Sequence, residues 1–301
     1  MNFLNSVIAK SLPFIPKPIV GKVSSRYIAG TKLSDAINAV RALNRKQMMA
    51  TLDILGEDIV ERSAAEQIKQ EWIRVLDEVK TTGVDSNISV KPSQLGFRLD
   101  VGYCYANLRF LVEAARERGN TVRIDMEDST MTTATIGLYK RLRNDGFENV
   151  GIVIQAYLRR SDADVRDLAE MKANFRLCKG IYLESPDIAY QDRDEIRRNF
   201  GLLLRVMMEN GCYVGIATHD EYLVGKSYEL ISKNNLAKER YEFQMLLGVR
   251  EQLRRSIIDA GHRLRVYVPF GDQWYAYSVR RLKENPQIAG YVLRALLTGN
   301  S

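Results

Sequence analysis

Eight short apolar runs, spaced by longer amphipathic stretches, constrain this chain more than any other feature of its sequence. The runs occupy residues 50–55, 88–92, 122–127, 151–157, 175–179, 213–218, 241–246 and 265–270. Most are nearly continuous in apolar residues, as strands must be when both faces of a parallel sheet are covered. Their starts recur every 24 to 38 residues. Between them lie segments of helical periodicity such as 64–80, 103–118, 133–144, 162–174, 192–210 and 249–260, several of which end in Gly or Asn. Strand and helix repeating eight times through right-handed crossovers fit a closed barrel better than an open doubly wound sheet, which usually has fewer strands. The expected fold is therefore α/β, a (β/α)8 TIM barrel over residues 50–301. Residues 1–49 are expected to form an N-terminal helical segment, with a helix over 32–43, that caps the N-terminal face of the barrel. No stretch rich in Pro, Gly or Ser interrupts the remainder, so no second domain is expected.

Composition narrows what such a barrel does. The 301 residues include 46% hydrophobic and 27% charged side chains, a balance that supplies a large core and argues against disorder. The net charge of +7 raises two partners, nucleic acid and an anionic membrane surface. Basic residues occur in pairs such as Arg159-Arg160, Arg197-Arg198 and Arg254-Arg255, with acids close by, as on ordinary solvated helix faces. No nucleic-acid partner is therefore expected. Cys104, Cys178 and Cys212 have no paired spacing, which points away from disulfides and toward a reducing cytoplasm. With His219 and His262 the only histidines, ligands for a catalytic metal are lacking, and no metal is expected. Residues 1–22 are apolar and basic but broken by Lys10, Pro13, Pro16 and Pro18, so neither a signal peptide nor a membrane span is expected there. That segment is expected either to pack against the barrel or to touch lipid.

TIM barrels hold their active sites at the C-terminal strand ends, and costly polar residues gather there in this sequence. Lys91 ends the second run, Asp125 and Glu127 the third, and Gln155 lies in the fourth. Arg176 and Lys179 lie in the fifth, Thr218 and His219 end the sixth, Glu242 and Gln244 interrupt the seventh, and Tyr267 lies in the eighth. Structural readings compete at several positions: Glu127 and Arg176 as a buried ion pair, and Glu242 and Gln244 as inward partners of one another. Because Lys91, Arg176, Lys179, Arg280 and Arg281 outnumber the acids, the cluster suits a polar, anionic ligand. No GxGxxG or P-loop spacing announces a nucleotide. An enzyme acting on a phosphorylated or carboxylated metabolite without a flavin is the alternative that these residues leave open.

The same strand ends carry the segments ISVKPSQLG (88–96), RIDMED (123–128), IVIQAYLRR (152–160), FRLCKGIYLE (175–184), IATHDE (216–221), YEFQMLLGV (241–249) and YVPFGDQWYAYSVRRLKEN (267–285). In this order and spacing, from about Ile88 to Leu297, they resemble the proline dehydrogenase family, including the corresponding domain of bifunctional proline utilisation proteins. The resemblance implies an FAD held on the C-terminal face of a barrel. It also implies oxidation of L-proline to Δ1-pyrroline-5-carboxylate, the first step of proline catabolism, with electrons passed to a membrane quinone. By motif, Arg280 and Arg281 resemble the pair that binds the substrate carboxylate, with Lys91 as partner. Tyr267 and Tyr277 resemble the aromatics that close over the proline ring, Leu177 its apolar wall, and Asp125 an aspartate near substrate and cofactor. Gln155, Arg176, Lys179, Gly180, Thr218, His219 and Glu284 correspond to expected flavin contacts, with Glu242 and Gln244 bracing the basic residues. Asp220 stands where many relatives have asparagine, and Pro92 and Gln94 where leucine and alanine are commoner. The length suggests a monofunctional enzyme; cysteine usage and a quinone acceptor together give an expected location that is cytoplasmic or peripheral at the inner face of the membrane.

Overall fold

A computed structural model describes residues 21, 24–275, 277 and 278. Its strands are β1 (Met49–Ile54), β2 (Ser86–Val90), β3 (Val122–Ile124), β4 (Val150–Gln155), β5 (Asn174–Cys178), β6 (Tyr213–Ala217), β7 (Tyr241–Leu246) and β8 (Leu264–Phe270). They pair in sequence order as a closed barrel. All neighbours are parallel, and β8 closes onto β1 from Met49↔Arg265 to Ile54↔Phe270. The helices are α1 (Leu33–Asn44), α2 (Arg62–Thr82), α3 (Val101–Glu117), α4 (Ser129–Asn144), α5 (Ser161–Ala169), α6 (Arg193–Glu209), α7 (Glu221–Lys233) and α8 (Glu251–Asp259). Helices α2 to α8 each follow one strand, so the expected (β/α)8 architecture is present.

The two faces of each strand do different work. Outward residues such as Ile88, Val90, Val214, Ile216, Val266 and Val268 pack with Trp72, Leu76 and Leu108 of the helices in one continuous core. Each fully buried aliphatic side chain there contributes roughly 1.5–3 kcal/mol of burial. Inward residues are largely polar, and two glycines make room for them. A Cβ on Gly151 would lie 2.3 Å from the Arg123 guanidinium, and one on Gly215 would lie 2.4 Å from the Gln244 amide. Four aspartates fix where helices start at the C-terminal end. Asp100, Asp128, Asp192 and Asp220 accept backbone N–H groups at the first turns of α3, α4, α6 and α7, each contact worth about 1 kcal/mol.

Three of the departures from the sequence expectations have a visible physical cause. β3 ends at Ile124 instead of continuing to 127. The carbonyls of Met126 and Glu127 turn to accept from the Gln155 side chain, which takes them off the ladder. α5 ends at Ala169 instead of 174, because Lys172 adopts a left-handed conformation (φ 51°) that turns the chain into β5. Finally, the first helix does not cap the N-terminal face. The Gly271 N–H donates to the Gly30 carbonyl at the C-terminal end of β8, while Asn44 accepts from the Asp85 N–H just before β2. α1 therefore runs down the outside of the barrel against β8 and β1. Its stripe of Ala36, Ile37, Val40 and Leu43 is buried there, where an apolar face gains more than it would over a polar barrel end.

Candidate active site

Inward alternation stacks the polar side chains in two layers. In the upper one, toward the C-terminal end, Asp125 is the hub. Its Oδ1 accepts from Arg176 Nη1 at 2.7 Å and from Ser89 Oγ at 2.7 Å, and its Oδ2 accepts from the Tyr267 hydroxyl at 2.9 Å. Arg176 also donates Nε to Gln244 Oε1 at 2.6 Å, and its guanidinium lies over the Tyr267 ring at 5.3 Å. Residues of β2, β7 and β8, with Asp125 just after β3, thereby fix one planar cation. Burial and the Asp125 carboxylate push the Tyr267 phenol well above its ordinary value, so it is a neutral donor. Tyr277 is buried close by, in a cluster with Ile28 and Leu55.

Lys91 lies beside this hub. Its Nζ is 2.5 Å from Asp53 Oδ1, and both side chains are buried. Burial alone would lower the Lys91 pKa, but the charges of Asp53 and Asp125 more than offset it and hold the ammonium protonated. Burial pushes the Asp53 carboxyl up against the pull of Lys91. Asp53 Oδ2 is buried with no hydrogen-bond partner. Glu127 takes a different place from the one its sequence position suggested. It accepts from the Ser93 N–H and hydroxyl at 2.9 and 2.5 Å, not from Arg176, and so braces the turn after Lys91.

A second group surrounds the ends of β4, β5 and β6. Gln155 donates its amide to the Met126 and Glu127 carbonyls, while its Oε1 is buried without a partner. Asp220 gathers cations: Arg197 grips both its oxygens at 2.9 Å, and Lys179 reaches Oδ2 at 3.3 Å. Burial would raise its pKa, but the Arg197 hydrogen bonds and the Lys179 charge win and hold the carboxyl at about 2. The buried Thr218 hydroxyl accepts from the Asp220 N–H. His219 Nε2 accepts from the Leu246 N–H at 2.9 Å, which requires the proton of the neutral ring to sit on Nδ1. Gly180 has φ 106°, and a Cβ there would lie 2.0 Å from the Tyr157 ring, so only glycine fits.

Most of the sequence-predicted residues thus converge on one barrel end. Leu177 is a correction. It follows inward-facing Arg176 and, by strand alternation, lies on the opposite face, fully buried in the core between strands and helices instead of walling the polar cluster. Arg280, Arg281 and Glu284 lie outside the described residues. Sequence reasoning missed Asp53, Ser89 and Arg197. Asp53 carried the signal used elsewhere, a charge inside an apolar strand run, whereas Ser89 is too small and Arg197 too like an exposed helix residue to stand out.

The family model described as proline dehydrogenase matches residues 36–294. Proline dehydrogenase 1 of Bacillus subtilis is 33% identical over 272 residues, covering 90% of each chain. The proline dehydrogenase of Deinococcus radiodurans is 34% identical over 281 residues, covering 92% of this chain and 91% of that protein. Among solved structures, proline utilization A from Bdellovibrio bacteriovorus, inactivated by N-propargylglycine, superposes with a TM-score of 0.83 at 27% identity. The similarity covers 88% of this chain, which spans only 32% of that larger one. With the family model spanning most of its length, two relatives above 30% identity and a closed barrel whose buried charges sit at the expected strand ends, this chain belongs to the proline dehydrogenase family.

Proposed function

We propose that the chain catalyses FAD-dependent oxidation of L-proline to Δ1-pyrroline-5-carboxylate and passes the electrons to a membrane quinone. The observation that carries this reading is the buried Lys91–Asp53 pair beside the Asp125–Arg176–Tyr267 hub, at the barrel end where substrates bind. Family membership supports the flavin reading over the non-flavin alternative.

The chain's own residues divide the work. Lys91, kept cationic, offers a charge to the substrate carboxylate. By motif, Arg280 and Arg281 are the proposed grip on that carboxylate, a role that suits guanidinium groups because they can bind a carboxylate bidentately and so orient the ring. Tyr267 and Tyr277 screen the ring from water. For the reaction to balance, the amine sheds a proton and the carbon at ring position five then loses a hydride, leaving a C=N bond. Neither Lys91 nor Tyr267 serves as base, because both hold their protons. An amine placed among cations loses its proton more readily, and that proton passes to solvent.

The residues present fit a flavin. Gln155 Oε1 is a buried acceptor in need of a donor, and Lys179 and Arg197 provide positive charge for a diphosphate. Arg176, Gly180, Thr218, His219 and Glu284 complete the proposed contacts. Bound there, FAD supplies the two-electron acceptor, and a fixed cation such as Arg176 favours the reduced, anionic form. The quinone and a peripheral place at the membrane rest on the family resemblance; among the described residues no helix is long and apolar enough to cross a membrane.

Anaerobic titration of the FAD-supplemented protein with L-proline tests this reading. Bleaching of the flavin band is expected, together with its loss in Arg281→Met. A flavin that stays oxidised returns the substrate to other amino acids, and failure to bind FAD ends the proposal.

A further inference from the structure

Outside the barrel mouth, a groove of about 630 Å³ runs between α1 and α8. It exists because α1 enters from the C-terminal end to fill the slot between β8 and β1, while α8 spans only 9 residues, roughly 13 Å. Its volume falls in the range of small-molecule sites.

Its lining is not that of a neutral gap between helices. Arg45, Lys46, Arg254 and Arg255 face two acids, Glu251 and Asp259. Arg254 is the informative one. It is 5% exposed, and its Nε has no hydrogen-bond partner. Its sole ion pair among the described residues is Glu251 at 3.4 Å, whose side chain is 66% exposed and therefore well screened. Burial holds the Arg254 guanidinium below its usual value, and the nearby charge of Arg26 opposes it further. A desolvated cation in a net positive setting is costly unless an anion compensates it. The groove is also lined by the apolar side chains of Leu43, Met48, Leu247 and Ile258.

We infer that this groove is a binding site for an anionic amphiphile, with a phosphate or carboxylate head against Arg254 and Arg255 and an apolar body along Leu43, Met48, Leu247 and Ile258. The site is separate from the proline chemistry and stands or falls independently of it. The head group belongs either to a soluble metabolite or to a membrane lipid, which share this chemistry.

The test is calorimetric titration of the FAD-supplemented full chain with dodecyl phosphate below its micelle concentration, with dodecyl maltoside as the uncharged control. Saturable binding of the phosphate alone is expected. The exposed pair Lys46→Glu/Arg255→Glu should weaken it by at least about tenfold without altering flavin reduction by proline. Arg254→Met should lose binding while keeping or raising the Tm, because it removes a buried charge; a merely structural arginine would lower Tm. Co-sedimentation with phosphatidylglycerol vesicles separates the sources. Loss in the charge-reversed pair assigns a lipid, and unchanged sedimentation assigns a soluble amphiphile. No saturable binding of dodecyl phosphate, or equal binding by the maltoside or by the charge-reversed pair, overturns the inference.

Discussion

The barrel interior holds two polar layers that share a wall and differ in what they leave unfinished. In the lower layer, Arg265 pairs with Glu242 at 2.7 Å and donates to the Ala50 carbonyl, while Tyr213 and Gln244 also donate to Glu242. Arg123 spans to the Ile152 and Asn174 carbonyls and the Asn174 side chain. Apart from Arg123 Nε, this network closes on itself. The upper layer leaves acceptors over, Asp53 Oδ2 and Gln155 Oε1, around a lysine and an arginine held by carboxylates. A network with its partners within the chain stabilises the fold, whereas one with spare acceptors and fixed cations is prepared for a ligand.

Replacing one charge in each layer should separate the two roles. Lys91→Met removes a cation from the proposed carboxylate site and strands Asp53 as a buried charge. Proline-dependent flavin reduction should fall by on the order of a hundredfold or more, and stability by about 3–5 kcal/mol. Lys91→Met/Asp53→Asn should regain most of that stability in urea unfolding but none of the activity. Recovery of activity in the double variant would erase the distinction between layers.

Glu242→Gln should show the reverse balance. It strands Arg265 deep in the lower layer, so a loss of roughly 3 kcal/mol is expected, with flavin reduction by the remaining folded protein little changed. A large kinetic defect at unchanged stability would place Glu242 in the active site.

Acidification should give a smaller, graded effect. Burial would raise the Glu242 pKa, but Arg265 and the hydrogen bonds from Arg265, Tyr213 and Gln244 hold it at about 2. Asp220 is likewise held at about 2. Depressed carboxylates contribute stability that is fully present above their ordinary values and is lost as pH falls toward the folded ones. The urea midpoint should therefore decline from about pH 4.5 down to about pH 2, and Glu242→Gln should flatten that slope. An unchanged slope in the variant would remove Glu242 from the account.

The sequence announced the upper layer better than the lower. Lys91, Asp125, Arg176 and Tyr267 were legible because a charge or hydroxyl in an apolar strand is expensive and calls for a partner. Glu242 and Gln244 were legible as inward residues, but not that Gln244 would link Glu242 to Arg176 across the layers. The competing reading of Glu127 as an ion-pair partner of Arg176 fails because sequence spacing does not show that β3 ends early and turns Glu127 toward Ser93. Leu177 went astray because a motif gives neighbours along the chain, whereas alternation sends neighbours to opposite faces.

By itself the sequence determined the eight strands, their order, the end of the barrel that carries the chemistry, and the family. The strands and the polar end of the barrel follow from local periodicity and from the cost of placing polar groups in apolar runs, whereas the family follows from the order and spacing of seven motif segments. Tertiary structure alone decided that α1 lies along β8 and β1, that Asp53 pairs with Lys91, that Asp220 collects Arg197 and Lys179, and that Arg254 is buried beside an open groove. Each of these joins residues far apart in sequence, and which partner a charge finds depends on barrel closure and register, not on any property of the residues read one at a time.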